Sequence, residues 1–407
     1  MLERYVARQP IFDRQNKVFG YEMLFRNSLE NYFSGTDGDV ATSSVLLNTF
    51  DTIGIKTLTN GKPTFINFTK DLLLGRYATL FPKDQVIIEI LEEIEPSEEV
   101  LQAIRDLKEQ GFTIALDDFV FKEELLVFVE LADIIKIDFT ITSFNDQQVL
   151  MNRFANRGIK FLAEKVETNE EHQKAMDMGY EYFQGYFFSK PSIYTGRDIP
   201  VYKFNHLRLL SDVNQATFSF STIEKTVSQD LSLSFKLLRF INSAYFGLPR
   251  KVNSIKHALV LLGEREVRKW ISLLAMAGMG EDKPVELIVY STLRAKYCEL
   301  LAEKIGMNDS KSDMFLLGMF SMIDAILDKS KEEILKDLPL PNDIKFALLG
   351  GENKYKEVFD STVAYEKGEW EKLKYLSDKL HLPGDEIPDL YLDSVDWTNK
   401  IFKGNLL

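Results

Sequence analysis

The stretch V86-I-I-E-I-L-E-E-I-E-P-S-E-E-V-L-Q-A-I-R-D-L-K-E-Q-G-F-T-I-A-L-D-D-F119 decides the fold. It begins and ends with short apolar, β-branched runs of strand length, bounded by turn-forming residues. Between them Val100, Ile104 and Leu107 fall on one helical face, Ser97 can cap the start and Gly111 follows the end. Strand, helix, strand is the unit whose crossover makes neighbouring strands parallel. The alternation extends outward in both directions, through V18-F-G-Y-E-M-L-F25, T64-F-I-N-F68, I134-I-K-I-D-F139, K160-F-L-A-E-K-V166 and Y182-F-Q-G-Y-F-F188. Seven or eight such units predict a TIM-like (β/α)8 barrel of parallel strands over residues 1–195.

From about Pro200 to Leu407 the β runs stop and helical periodicity takes over. Ser221 and Glu224 read as a capping box, Leu237, Ile241, Ala244 and Tyr245 follow a helical period, and Gly263 separates Ile255–Leu262 from a helix beginning near Val267. Residues 200–407 are therefore predicted to be all-helical, joined to the barrel by the segment PSIYTGRDIP that runs from Pro191 through Gly196 to Pro200. Most phenylalanines, Phe235 and Phe240 among them, sit at core spacing.

The 407 residues carry 49 Lys and Arg against 62 Asp and Glu, a net charge of -13 that works against broad salt-driven binding to nucleic acid or an anionic bilayer. Cys298 is the single cysteine, so an internal disulfide and structural zinc sites built from four cysteines, or from a cysteine pair with a histidine pair, are excluded. An N-terminus without an apolar core and the lack of any apolar run of about 18 residues predict a cytoplasmic, non-membrane chain.

Polar residues recur where strand periodicity calls for Val or Ile: Glu22, Asn67, Glu89, Asp117 with Asp118, Lys136, Glu164 and Gln184, one position or pair per strand. In a barrel of parallel strands these ends converge on one mouth. Several carboxylates and an amide oxygen held together repel one another unless cations intervene, and oxygen donors suit hard divalent ions, Mg2+ or Mn2+.

These segments, E22-M-L-F-R26, F65-I-N67, I88-E89-I-L-E92, L116-D117-D118-F119, K136-I-D138, E164-K-V-E167 and Q184-G-Y-F-F-S-K190 with the proline after it, together with Gln9-Pro10-Ile11 as an opening strand, closely resemble the EAL domain of cyclic-di-GMP phosphodiesterases. The resemblance implies a two-metal hydrolase that opens one phosphodiester of cyclic di-GMP to give pGpG. On it, Glu22, Asn67, Glu89 and Asp117 would hold one ion, and Asp117 with Asp118 a second. Lys136, Glu164 and Gln184 would position the attacking water, Arg26 would meet a ligand phosphate and Gln9 a guanine. The chain also departs from the family. Val120 and F121-K-E-E-L125 replace a Gly and a small-residue loop, Lys165 stands at a Gly position, and Leu91 replaces a Thr. These changes predict a degenerate barrel that senses or slowly hydrolyses its ligand; the alternative is an active phosphodiesterase.

The helical half resembles the HDOD domain in S232-L-S-F-K-L-L-R-F-I-N-S-A-Y-F246, S254-I-K-H-A-L-V-L-L-G263 and F315-L-L-G-M-F-S-M-I-D-A-I-L327. His172, His206, His257 and His381 are followed by Gln, Leu, Ala and Leu, so the His-Asp dipeptide of HD hydrolases is missing. The resemblance implies a non-catalytic module relaying to a protein partner, in a chain able to form a homodimer. A nucleic-acid partner is disfavoured by charge.

Overall fold

A computed structural model describes residues 5–26, 58–154, 157–189, 201–215, 217–229, 231–243, 246, 248 and 250–403. The chain divides into two compact units, with the change near Phe188 and Ser189. The predicted connection, residues 191–200, lies outside the described residues.

Eight strands close the first unit into a barrel in sequence order: β1 Tyr5–Asp13, β2 Val18–Arg26, β3 Thr64–Phe68, β4 Val86–Ile90, β5 Thr113–Leu116, β6 Ile134–Asp138, β7 Lys160–Glu164 and β8 Tyr182–Gln184. From β2 to β8 each neighbouring pair is parallel, whereas β1 runs antiparallel to both β2 and β8. The all-parallel expectation thus fails at one strand, for a local reason. Asp13 N–H donates to the Lys17 carbonyl, Asp13 Oδ1 accepts from Gln15 and Lys17 N–H, and Asn16 takes φ +57°. A turn this tight can join only antiparallel strands.

The helices between strands include α1 Lys70–Leu74, α2 Glu98–Glu109, α3 Leu126–Val129, α4 Phe144–Phe154 and α5 Asn169–Met178. Ser97 caps α2 by accepting from Val100 N–H, its apolar face Val100, Ile104 and Leu107 is buried, and Gly111 beyond it has φ +89°. On α5, Thr168 and Glu171 complete a capping box.

Inside the barrel, Ile11, Phe65, Ile87, Ala115, Ile134, Leu162 and Tyr182 form a single buried cluster with Phe19 packed against it. These residues make an apolar floor. Side chains two residues apart share a face of a strand, so the next inward layer on β3 to β8 is Asn67, Glu89, Asp117, Lys136, Glu164 and Gln184. On the antiparallel β1 the same step runs backward, from Ile11 to Gln9.

Behind the wall, His172 on α5 stacks on Phe187 at 4.2 Å, and its buried Nε2 has no hydrogen-bond partner. Burial lowers its pKa to about 4. Between that value and an unfolded pKa near 6.5 the unfolded chain binds the extra proton, so stability falls as the pH falls across this window. His172→Phe keeps the stacked ring without the titration. Urea midpoints from pH 6.5 to 4.5 should decline less in the variant than in the parent; parallel curves would contradict the assignment.

The second unit is helical among its described residues, beginning with α6 Val201–Val213, α7 Phe220–Gln229, α8 Leu231–Ile241, α9 Ile255–Met279, α10 Val285–Lys304 and α11 Lys311–Phe320. Gly263, φ +74° and ψ 166°, breaks α9 where the sequence placed a boundary. Two expectations are corrected. Thr222 N–H is received by Ser219 Oγ, so α7 is capped at Ser219 and Ser221 lies in its first turn. Phe235 is 62% exposed, because the buried stripe of α8 is Leu233, Leu237, Phe240 and Ile241. Ala244 and Tyr245 lie outside the described residues. Asn242 locks the following loop: its amide donates to the Leu238 and Val252 carbonyls and its oxygen accepts from Val252 N–H. Among the described residues no helix is long and apolar enough to cross a membrane.

Candidate functional site

The polar layer is assembled by strand order. Asn67 faces Glu89 in the β3–β4 register, Gln9 faces Glu22 in β1–β2, and Asp138 faces Glu164 in β6–β7. The turn after β5 is pinned on both sides, since Asp117 N–H donates to the Ile90 carbonyl and Phe119 N–H to the Lys136 carbonyl. Asp118 between them has φ +38°. Val166 N–H donates to the Gln184 carbonyl, and Gly185 lies so close to Val166 that any side chain there would strike its backbone.

Lys136 stands at the centre, fully buried. Its Nζ lies 2.6 Å from Asp117 Oδ1, 2.6 Å from Glu89 Oε1, 2.9 Å from Glu164 Oε1 and 3.5 Å from Glu22 Oε2. The ammonium donates to Asp117 Oδ1 and is shared with the Glu89 and Glu164 carboxylates. Gln184 Nε2 donates to Glu22 Oε2 at 2.5 Å and to Gln9 Oε1 at 3.1 Å, tying β8 to the N-terminal hairpin. Nine of the ten residues singled out in the sequence therefore belong to one mouth. Arg26 closes β2 opposite Tyr5, and its side chain lies outside the described residues.

A second charged group adjoins the first and was not anticipated as a unit. Lys165 pairs with the buried Asp138 and lies 3.8 Å from Asp118 Oδ2. Asp138 Oδ1 also accepts from Thr140 N–H and Oγ1, both at 2.6 Å. Lys165 has φ +54°, a left-handed backbone that costs a side-chain-bearing residue about 1–2 kcal/mol. This explains why its position suits glycine. The available signal was Asp138 standing two residues after Lys136 and hence on the same strand face.

The site has more negative charge than its two lysines neutralise, and burial makes that excess costly. Burial pushes Glu89 well above the usual carboxylate range, with Lys136 opposing and Glu22 and Asp117 adding to the rise. Burial likewise pushes Glu164 up to about 8. For Lys136, burial favours the neutral form, but Glu164, Glu22, Glu89 and Asp117 overcome it and raise its pKa well above that of a free lysine. Asp118 is raised by burial and by Asp117, with Lys165 opposing.

Among the described residues, no group of three or more His, Cys, Asp or Glu side chains is arranged to hold a metal ion as it stands. Lys136 occupies the centre they face. The donor set nevertheless fits a hard divalent cation. It consists of oxygens, and Asn67 Oδ1, Glu89 Oε2, Asp118 Oδ1, Glu164 Oε2 and Gln184 Oε1 are buried without hydrogen-bond partners. Beside the mouth, a cavity of about 260 Å³ is bounded by Leu91, Glu92, Asp117, Asp118, Val120 and Lys122. In the altered loop Val120 is 51% exposed, Glu123–Leu125 form a 3-10 turn, and Phe121 lies under the Arg153 guanidinium at 4.2 Å.

The EAL domain profile matches residues 49–191 and the HDOD domain profile residues 199–330. The uncharacterized protein YuxH of Bacillus subtilis (strain 168) is 38% identical over 98% of this chain and 98% of its own length. The cyclic di-GMP phosphodiesterase CdgJ of Vibrio cholerae serotype O1 is 33% identical over 98% of this chain and 94% of its own. Similar solved structures include a standalone EAL protein from Vibrio cholerae O395 bound to c-di-GMP, 23% identical with a TM-score of 0.38, covering 46% of this chain and 92% of that one. Another is the Bacillus subtilis YkuI protein with c-di-GMP and calcium, 20% identical with a TM-score of 0.38, covering 60% and 66%. Two relatives matched from end to end, with the two domain profiles in the same order as the barrel and the helices, settle the classification: the chain belongs to the EAL–HDOD family of two-domain proteins.

Proposed function

We propose that this is a cyclic-di-GMP signalling protein in which the barrel binds the dinucleotide at a divalent-cation site and hydrolyses it slowly, while the helical unit relays that state to a protein partner. One observation carries the reading: a complete inward layer of the barrel is polar, and its buried carboxylate and amide oxygens outnumber their donors. Glu22, Asn67, Glu89 and Asp117 are the residues that would hold the ion. Such an ion lowers the pKa of a water and stabilises charge on a leaving oxygen.

The chain's own groups divide the remaining work. Glu164, whose Oε1 lies 2.9 Å from the Lys136 ammonium, would position the attacking water. Lys136 keeps its proton and fixes the acids that surround it. Gln184 orients Glu22 and Gln9, and Gln9 thereby presents its amide toward a base at the rim. Arg26 would add a charge-assisted contact to a ligand phosphate. The slowness is assigned to the loop after Asp118, where Val120 and Phe121 stand in place of small residues.

The test is full-length protein with cyclic di-GMP and Mn2+ or Mg2+, reading binding by calorimetry and product by chromatography. Micromolar or tighter binding that requires the metal, slow formation of pGpG, and loss of both in Glu89→Gln are expected. Metal-independent binding, or none, would overturn the proposal. The 33% end-to-end identity with CdgJ, which is named a phosphodiesterase, favours a second reading, a fully competent enzyme; turnover above about 1 s⁻¹, the low end of ordinary kcat values, would select it.

For the helical unit, Leu231 to Gly263 contains Lys236, Arg239, Arg250, Lys251 and Lys256 and no acidic residue, in a chain of net charge -13. Of these, Arg239 and Lys251 line one groove with the exposed Phe235, a lining that fits an acidic protein segment.

A further inference from the structure

The acids of the mouth fall into two groups, each with its own protein ammonium. Glu22, Glu89, Asp117 and Glu164 surround Lys136, which is buried on β6. Asp118 and Asp138 are served by Lys165, which reaches in from the turn after β7. Asp138 is itself almost fully buried and spends its other oxygen on Thr140, so Lys165 is its only ion-pair partner among the described residues. The chain holds Lys165 in a left-handed backbone conformation to make this contact.

We infer that Lys165 is a tethered cation that takes the place of a second divalent ion, so that the mouth binds one ion, on the Glu22, Asn67, Glu89 and Asp117 side. The inference rests on the metal reading above. A divalent ion on Asp118 would sit within a few ångströms of the Lys165 ammonium, and moving that ammonium away would leave the buried Asp138 uncompensated. The other group differs in kind. Its single ammonium is shared among four carboxylates, a larger deficit of positive charge than in the Asp118 and Asp138 group, and one divalent ion reduces it.

The test is Mn2+ binding to the full-length protein, with stoichiometry from calorimetry and electron paramagnetic resonance to detect coupled ions. The parent and Lys165→Arg should bind one Mn2+ per chain with an uncoupled signal. Lys165→Gly, which suits the backbone, and Lys165→Met, which removes only the charge, should each bind two, with the exchange coupling of neighbouring ions. Two coupled ions in the parent, or one ion in every variant, would overturn the inference and leave the metal reading intact. Absence of Mn2+ binding in all four proteins would overturn both.

Discussion

Freed of divalent ions, the protein should lose stability as the pH rises from 6.5 to 8, and saturating Mn2+ should abolish that loss. Glu164 is held near 8 by burial, so within this window the folded chain retains a proton that the unfolded chain has already released. By linkage, stability then falls with rising pH, by about 2 kcal/mol per such proton across 1.5 pH units. The lower limit matters, because His172 contributes with the opposite sign below about 6.5. Carboxylates bind a metal deprotonated, so Mn2+ supplies the missing positive charge, expels that proton and adds its own binding energy to the folded state. Urea midpoints at four pH values, with EDTA and with Mn2+, measure the slopes, and calorimetry in two buffers of different ionisation enthalpy counts the protons released. A flat or rising curve in EDTA would show that Glu164 is already ionised.

Replacing Lys136 by Met should destabilise the metal-free protein by roughly 3–5 kcal/mol, the usual result of removing one partner from a buried ion pair. Four carboxylates would be left facing one another with no ammonium among them. Lys136→Arg should not restore stability, since the slot is closed to solvent and a planar guanidinium does not fill the space of an ammonium. Mn2+ should stabilise Lys136→Met more than the parent, because the ion then has no competitor at the centre. Denaturant midpoints with and without Mn2+ decide the matter, and equal midpoints for variant and parent in EDTA would remove Lys136 from its proposed role.

Much of the barrel could be read directly, because a strand repeats every two residues and the pairs Ile87 and Glu89, Ala115 and Asp117, Ile134 and Lys136, Leu162 and Glu164, and Tyr182 and Gln184 show that step in the chain itself. The floor and the mouth are thus written as consecutive inward positions. What escaped reading depends on neighbours distant in sequence. That Lys165 finds Asp138 follows from the pairing of β6 with β7, and no spacing reveals it. The centring of Lys136 among four acids depends on the inward direction of five side chains at once. Ser219 and Ser221 are equally good caps by residue type, and only the path of the chain chose the first. Phe235 was misplaced because a phenylalanine near a helical period can still fall on the far side of the helix from Leu233, Leu237 and Phe240.

The hydrogen bond from Gln184 to Glu22 spans 162 residues. During synthesis the outer edge of the β1–β2 hairpin stays unpaired until β8 has been made, so the barrel cannot close before then, and its closure is a non-local pairing of the slow kind. A fragment cut to residues 49–191, the part matched by the EAL profile, would lack β1, β2 and Glu22. It would be an open sheet with two bare edges, prone to pair with other copies of itself. Such a fragment would fail as a binding protein through aggregation, and that failure would say nothing about the chemistry of the intact mouth.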